Sequence, residues 1–296
     1  MSADQLEVVM IVITGANGTL GRGIVEQLLG RVPAEQIAVS VRDPEQAREL
    51  AVQGVRVRRG DFTDPASLAH AFEGASQVLI VSAATTGGAA ITQHRTAIEA
   101  AEAAGAHRIL YTSHMGVNPS SPFPPMVDHA ATEALLRESG MAFTSLRNGF
   151  YASTTLWLLT EALKTGELTA PQDGPVSWTA HADLAEAAAI TLAEESFDGP
   201  TPALTAGAAL DLAGAAELAA ELTGRTIRRV VVPDEQYRAS LLAQGLPEAR
   251  VELTLGLFAA SRQGEFAHVD PALAHLLGRP TTPLREVLKA GLIPAG

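Results

Sequence analysis

The chain has 296 residues, 47% of them hydrophobic, a formal net charge of −12 and no cysteine. That supplies the core of one large domain or of a domain with a lobe. It removes disulfides, thiolate nucleophiles and sulfur-ligated metals, and it argues against general affinity for nucleic acid, which needs a basic face. The start Met-Ser-Ala-Asp-Gln-Leu-Glu lacks a basic region followed by a spare apolar run, and no stretch approaches the ~20 apolar residues of a membrane span. The expectation is a cytoplasmic protein without membrane insertion.

The first apolar run, residues 8–13, passes through Thr14-Gly15-Ala16-Asn17-Gly18-Thr19-Leu20-Gly21 into a helix expected over 19–30. A strand, glycine turn and helix in that order cradle a dinucleotide. Gly15 permits the tight turn, Gly18 lets the backbone approach a pyrophosphate, and Gly21 lets the helix pack closely. The diphosphate then lies at the helix N-terminus, against Asn17, Thr19 and Leu20 and at the positive end of the helix dipole.

Further strands are expected at 36–41, 55–59, 77–81, 108–112 and 142–147, with helices at 44–53, 65–73, 89–105 and 128–139. Asp43-Pro44 and Asp64-Pro65 set a capping residue before proline at a first helical position. Six strand-helix steps predict an α/β fold with a doubly wound parallel sheet of Rossmann type. This occupies residues 1–150, with part of 175–195 packing back on it. Residues 151–296 form a smaller C-terminal α/β lobe for substrate, with helices near 181–194, 211–223, 234–244, 248–263 and 283–290. The arginine groups 56, 58, 59 and 225, 228, 229 read as solvated strand ends.

Ligands of such sheets bind past the carboxyl ends of the strands. After the second strand comes Arg42 with no acidic residue before it, which favours a 2′-phosphate and so NADP(H) over NAD; the competing reading is a merely exposed arginine beside a helix cap. Asp61 can accept from an adenine amino group with Phe62 flanking the ring, or Asp61 is a turn residue. Ser82, Ala83 and Ala84 are small enough for a ribose to lie against them, and the fifth strand ends in Thr112 and Ser113. Asn148, Gly149 and Tyr151 suit a flat nicotinamide with a flat acceptor stacked over it. The Tyr-x-x-x-Lys relay common in this topology is absent, since Met115, Thr155 and Leu241 stand four residues after the three tyrosines. His129 and Glu133, one helical turn apart, are the replacement acid/base pair or an ordinary i,i+4 pair. Two ligands on one helix do not make a metal site.

With these residues in view, the chain resembles the NmrA-like branch of the atypical short-chain dehydrogenases/reductases. The resemblance rests on the glycine turn, Val41-Arg42-Asp43-Pro44, Gly60-Asp61-Phe62-Thr63-Asp64, Tyr111-Thr112-Ser113 and Leu146-Arg147-Asn148-Gly149. Within that branch it is most similar to the bacterial NADPH-dependent quinone oxidoreductases, from about residue 8 to the C-terminus, including Gln93-His94-Arg95 and Gly278-Arg279-Pro280-Thr281-Thr282. The resemblance implies NADPH held by the glycine turn and Arg42, adenine near Asp61 and Phe62, and nicotinamide bordered by Asn148 and Gly149. Its chain departs from the family at Phe150-Tyr151-Ala152-Ser153-Thr154 and at His114-Met115-Gly116. The expected activity is NADPH-dependent hydride transfer to a quinone or similar flat acceptor. Asn148 would donate to the developing oxyanion, and His129, Tyr151 or water would supply the proton. The alternative is a non-catalytic redox sensor acting through a protein partner; a sugar-nucleotide dehydratase or epimerase is disfavoured by the missing relay. By analogy with the wider superfamily, a homodimer would use the helices near 89–105 and 128–139.

Overall fold

In the computed structural model, which describes residues 9–293, the apolar runs of the first half become alternating strands and helices. They are β1 (Ile11–Thr14), α1 (Thr19–Leu29), β2 (Ile37–Val41), α2 (Arg48–Val52), β3 (Arg56–Arg59), α3 (Pro65–Ala71), β4 (Gln77–Ile80), α4 (Gly88–Ala103), β5 (Arg108–His114), α5 (Pro124–Glu138) and β6 (Ala142–Asn148). Then come α6 (Ser153–Leu159), α7 (Ala162–Thr165), β7 (Glu167–Ala170), α8 (His181–Glu194), β8 (Gly199–Pro200), α9 (Leu212–Thr223), β9 (Arg228–Val231), α10 (Asp234–Ala243), α11 (Glu248–Arg262), α12 (Ala272–Leu277) and α13 (Leu284–Leu292). Val8, expected to begin the first strand, lies outside the described residues.

The main sheet has the order β3-β2-β1-β4-β5-β6-β8, and β1 pairs in parallel with both β2 and β4. The order reverses at β1 and β4, which opens a crevice past their carboxyl ends. β1, β2, β4 and β5 are buried throughout, as continuous apolar runs in a covered parallel sheet should be. β3, at the edge, is Arg-Val-Arg-Arg and partly exposed. At the other edge β8 is two residues long.

The expected helix over 44–53 divides into a 3-10 turn at Pro44–Ala47 and α2. Asp43 Oδ1 accepts from the Glu45 amide, two residues on, at 3.1 Å and so closes a tighter turn. Asp64 caps α3 as expected, accepting from the Ser67 amide at 3.2 Å. Among the described residues no helix is long and apolar enough to cross a membrane.

Contacts divide the chain into two units whose segments interleave in sequence. The first unit takes residues up to Ser113, Ala131–Leu146 and Ala185–Thr201; the second takes His114–Ala130, Arg147–Leu184 and Pro202 onward. The first unit's core includes Val12, Phe72, Val78, Ile109, Tyr111 and Leu136. Its α8 segment returns against α1, where Gly23 leaves just enough room for Ala185.

The second unit buries Phe150, Trp178, Leu212, Phe258, Phe266 and Leu288 together. α6 and α7 have no counterpart in the expected elements, because each is too short to form without packing. α6 packs on α13 through Leu156, directly over Gly291. β7 and β9 form a separate parallel pair. Arg229 departs from the solvated reading: it is largely buried, paired with Asp173 at 3.0 Å, and donates to the carbonyls of Ala170, Pro171 and Val230. Asp183, 1% exposed, accepts from Arg279, the Thr282 amide and the Thr282 hydroxyl at 2.9, 2.6 and 3.0 Å. That clamp gives the late Gly278–Thr282 stretch a structural purpose.

Candidate functional site

The first unit carries the glycine turn as an open face. Gly15 has φ of +66°, and a Cβ there would meet Val81 Cβ at 3.2 Å, so the turn presses against the chain leaving β4. A Cβ on Gly21 would stand 2.4 Å from the Gly15 carbonyl oxygen, which only glycine avoids. At Gly18 the same carbonyl would be 3.4 Å away, an ordinary contact. Gly15, Asn17, Gly18 and Thr19 are exposed, whereas Leu20 is buried and anchors α1.

No side chain caps α1 at Gly18. The amides of Thr19, Leu20 and Gly21 therefore have no acceptor within the helix, the arrangement that binds phosphate. Asn17 Nδ2 donates to the Asp43 carbonyl at 2.9 Å, which ties this turn to the end of β2 beside Arg42. Arg42 is exposed and forms no ion pair among the described residues. Asp61 Oδ1 accepts from the Thr63 amide and hydroxyl at 2.9 and 2.8 Å, which makes it a turn residue. Those two donors, with Arg42 and Arg59 contributing less, hold its carboxyl below the ordinary range. Phe62 packs partly on the first core.

The chain after β4 is held by three side chains from three elements. The Val81 amide donates to Thr14 Oγ1 at 2.9 Å, the Ser82 amide to Thr112 Oγ1 at 2.8 Å, and the Ala83 amide to His94 Nε2 at 2.9 Å. Exposure rises from Ser82 and Ala83 to Ala84. Ser113 Oγ donates to the buried Glu133 at 2.8 Å, and Glu133 also pairs with Arg137 at 3.1 Å.

The second unit holds the remaining candidates. Asn148, 2% exposed, ends β6, and its Oδ1 has no hydrogen-bond partner among the described residues. Its side chain bonds the Tyr151 phenol oxygen, but burial dominates and pushes that phenol up to about 12. Tyr151 stacks on His181, ring centroids 4.2 Å apart. Gly149 is buried, and a Cβ there would lie 2.1 Å from Thr179 Oγ1, so close packing accounts for it. His129 stacks on His114 at 6.0 Å, and His114 meets Phe150 and Phe266 edge-on. Burial lowers His114 to about 3; its Nδ1 accepts from the Gly116 amide at 3.0 Å.

A family model described as NAD(P)H-binding matches residues 15–195. Quinone oxidoreductase 2 of Escherichia coli is 36% identical over 281 residues, covering 94% of this chain and 96% of that protein. An NmrA-like family domain-containing oxidoreductase of Aspergillus flavus is 31% identical, covering 95% and 94%. The chain belongs to the NmrA-like NAD(P)H-binding family. Among solved structures, an NADPH-dependent quinone oxidoreductase of Escherichia coli complexed with NADPH superposes with a TM-score of 0.89 at 34% identity, covering 94% of this chain and 98% of that one.

Two site neighbours of this NmrA-like protein escape sequence reasoning. His94 lies mid-helix, where a polar residue reads as surface, yet it is 1% exposed. His181 opens α8, thirty residues beyond the tyrosine on which it stacks. The Gln93-His94-Arg95 stretch marks the family resemblance but gives His94 no role, and for His181 the only sequence signal is the histidine itself.

Proposed function

We propose that the protein is an NADPH-dependent reductase that delivers a hydride to a quinone or similarly flat, conjugated acceptor. The observation that carries this reading is Tyr151: with no lysine partner and a phenol pushed up to about 12, it is a poor acid at neutral pH. A quinone tolerates that, because its first reduced oxyanion is a stabilised phenolate that takes its proton from water or a weak donor.

Bound NADPH supplies the hydride from its dihydronicotinamide ring. The amides of Thr19, Leu20 and Gly21 receive the diphosphate, and Arg42 pairs with the 2′-phosphate. Asp61 and Phe62 hold the adenine. Ser82, Ala83 and Ala84 line the ribose, with Thr112 accepting from the Ser82 amide and Ser113 following it on β5. Asn148 donates to the developing oxyanion and Gly149 borders the ring. The buried Oδ1 of Asn148 fits such a ligand, since an N–H or O–H on the bound molecule satisfies it. His129 is the proton donor of the pair His129 and Tyr151. Catalysis rests mainly on proximity. NADPH is an intracellular reductant, which supports a cytoplasmic location. A homodimer through α4 and α5 completes the proposal.

The test is oxidation of NADPH, and separately NADH, with benzoquinone or naphthoquinone against a control without protein. Saturable turnover that prefers NADPH is expected. Tight NADPH binding without turnover of any quinone would point instead to the sensor. Arg42→Ala should raise the NADPH Kd about 10- to 100-fold, the value of a charge-assisted pair, and leave the NADH Kd nearly unchanged. Equal losses would remove the 2′-phosphate role. His129→Ala should cut turnover about tenfold or more without weakening NADPH binding; unchanged kinetics would assign it to structure.

A further inference from the structure

His94 has a defined tautomer. Its Nε2 is 2.9 Å from the Ala83 amide, a group that only donates, so Nε2 accepts and carries no proton. Its Nδ1 is 2.8 Å from Thr132 Oγ1, so the ring proton sits on Nδ1 and points to that hydroxyl. Ser82 Oγ approaches Nε2 at 3.4 Å, and Tyr111 donates to Ser82 Oγ at the same distance. The Tyr111 ring meets the imidazole edge-on, centroids 5.2 Å apart. Burial keeps His94 neutral, at about 4.

The three amides from Val81 to Ala83 are therefore all spent on side chains of β1, β5 and α4. What this stretch retains for a ligand is carbonyl oxygen and the Ser82 hydroxyl. Such a surface suits hydroxyls and amide N–H groups and is poorly matched to phosphate. It begins at Val81, in contact range of the Gly15 turn, inside the crevice where the strand order reverses.

We propose that His94 is a positioning residue: as the Nδ1–H tautomer it fixes the Ser82–Ala83 main chain so that its acceptors meet the ribose hydroxyls of the dihydronicotinamide half of NADPH. This rests on the cofactor reading above. A charged imidazole would set an N–H against the Ala83 N–H, so the neutral form is the one that works.

The experiment measures NADPH binding by fluorescence with no acceptor present, in the unaltered protein, His94→Phe and His94→Gln. Phenylalanine keeps the ring contact with Tyr111 and loses both hydrogen bonds. Glutamine can accept from Ala83 and donate to Thr132. His94→Phe should raise the NADPH Kd about tenfold, and the kinetic loss should fall on KM for NADPH rather than on KM for the quinone. His94→Gln should recover most of the affinity, an effect that a merely structural role does not produce. Nitrogen-15 spectra of the unaltered protein should show Nε2 unprotonated and Nδ1 protonated at pH 7. An unchanged Kd in His94→Phe, equal losses in both variants, or a protonated Nε2 would overturn the proposal. If His94→Phe fails to fold, the spectra and His94→Gln decide. Failure of the unaltered protein to bind NADPH would overturn the cofactor reading itself.

Discussion

Gly21→Ala is expected to weaken NADPH binding by roughly two orders of magnitude, because the added methyl has nowhere to go. Its nearest neighbours would be the Gly15 carbonyl oxygen at 2.4 Å, the Gly15 carbonyl carbon at 2.8 Å and Ala16 Cα at 3.1 Å. All three are main chain, so relief requires the turn and α1 to move apart. That shift would carry the Thr19 and Leu20 amides away from the diphosphate they are proposed to hold, and each charge-assisted bond lost costs about 1.5–3 kcal/mol. Overpacking itself should lower the stability of the apoprotein by about 1–3 kcal/mol. Gly18→Ala is the informative contrast. Its methyl would meet the Gly15 carbonyl at an ordinary 3.4 Å and nothing else within 4 Å, so Tm should hold, while Kd should rise because the proposed diphosphate position borders this glycine. Fluorescence titration and thermal melts of both variants decide the matter; a Gly21→Ala protein that binds NADPH normally would refute the assigned helix-terminus site.

The second large effect is acid sensitivity. Burial lowers His94 from 6.5 to about 4 and His114 from 6.5 to about 3, so both are neutral in the folded chain at pH 5 while their unfolded counterparts are charged. The unfolded state then binds more protons, and stability must fall as pH drops below the unfolded value. For each histidine the loss accumulates from pH 6.5 to the folded pKa, amounting to about 3 kcal/mol by pH 4. Two such groups are a large share of the roughly 5–15 kcal/mol that holds a domain together. Asp61, held low by Thr63, adds a further loss at still lower pH. Urea unfolding at pH 7 and pH 5 should show the decline. His94→Phe and His114→Phe should each make it shallower, and a pH-independent unfolding free energy across this range would contradict both neutral assignments.

The parts of this protein that local rules control were legible in its sequence. Asp43 and Asp64 cap where aspartate before proline should, and the glycine turn has the positive φ and the close approach that its spacing implies. What the sequence concealed are side-chain pairings between distant elements. The sequence sets Glu133 beside His129 on its own helix and gives no sign that it also takes a bond from Ser113 on β5. The cluster of Arg225, Arg228 and Arg229 reads as solvated, yet carbonyls of four residues surround the Arg229 guanidinium. His94 and Asp183 are polar residues on helices whose burial depends on which loop arrives opposite them. Periodicity reports the average face of a helix and is silent about a single polar partner.

The two borders of the main sheet constrain how copies of this chain can associate. Unpaired strand edges invite another chain to add on by main-chain hydrogen bonding. Here one border carries arginines at three of its four positions, and the other is two residues long and ends in Pro200, which has no amide to offer. Growth of the sheet from one molecule into the next is therefore blocked on both sides. A neighbouring molecule of this chain finds no ready template along the main sheet.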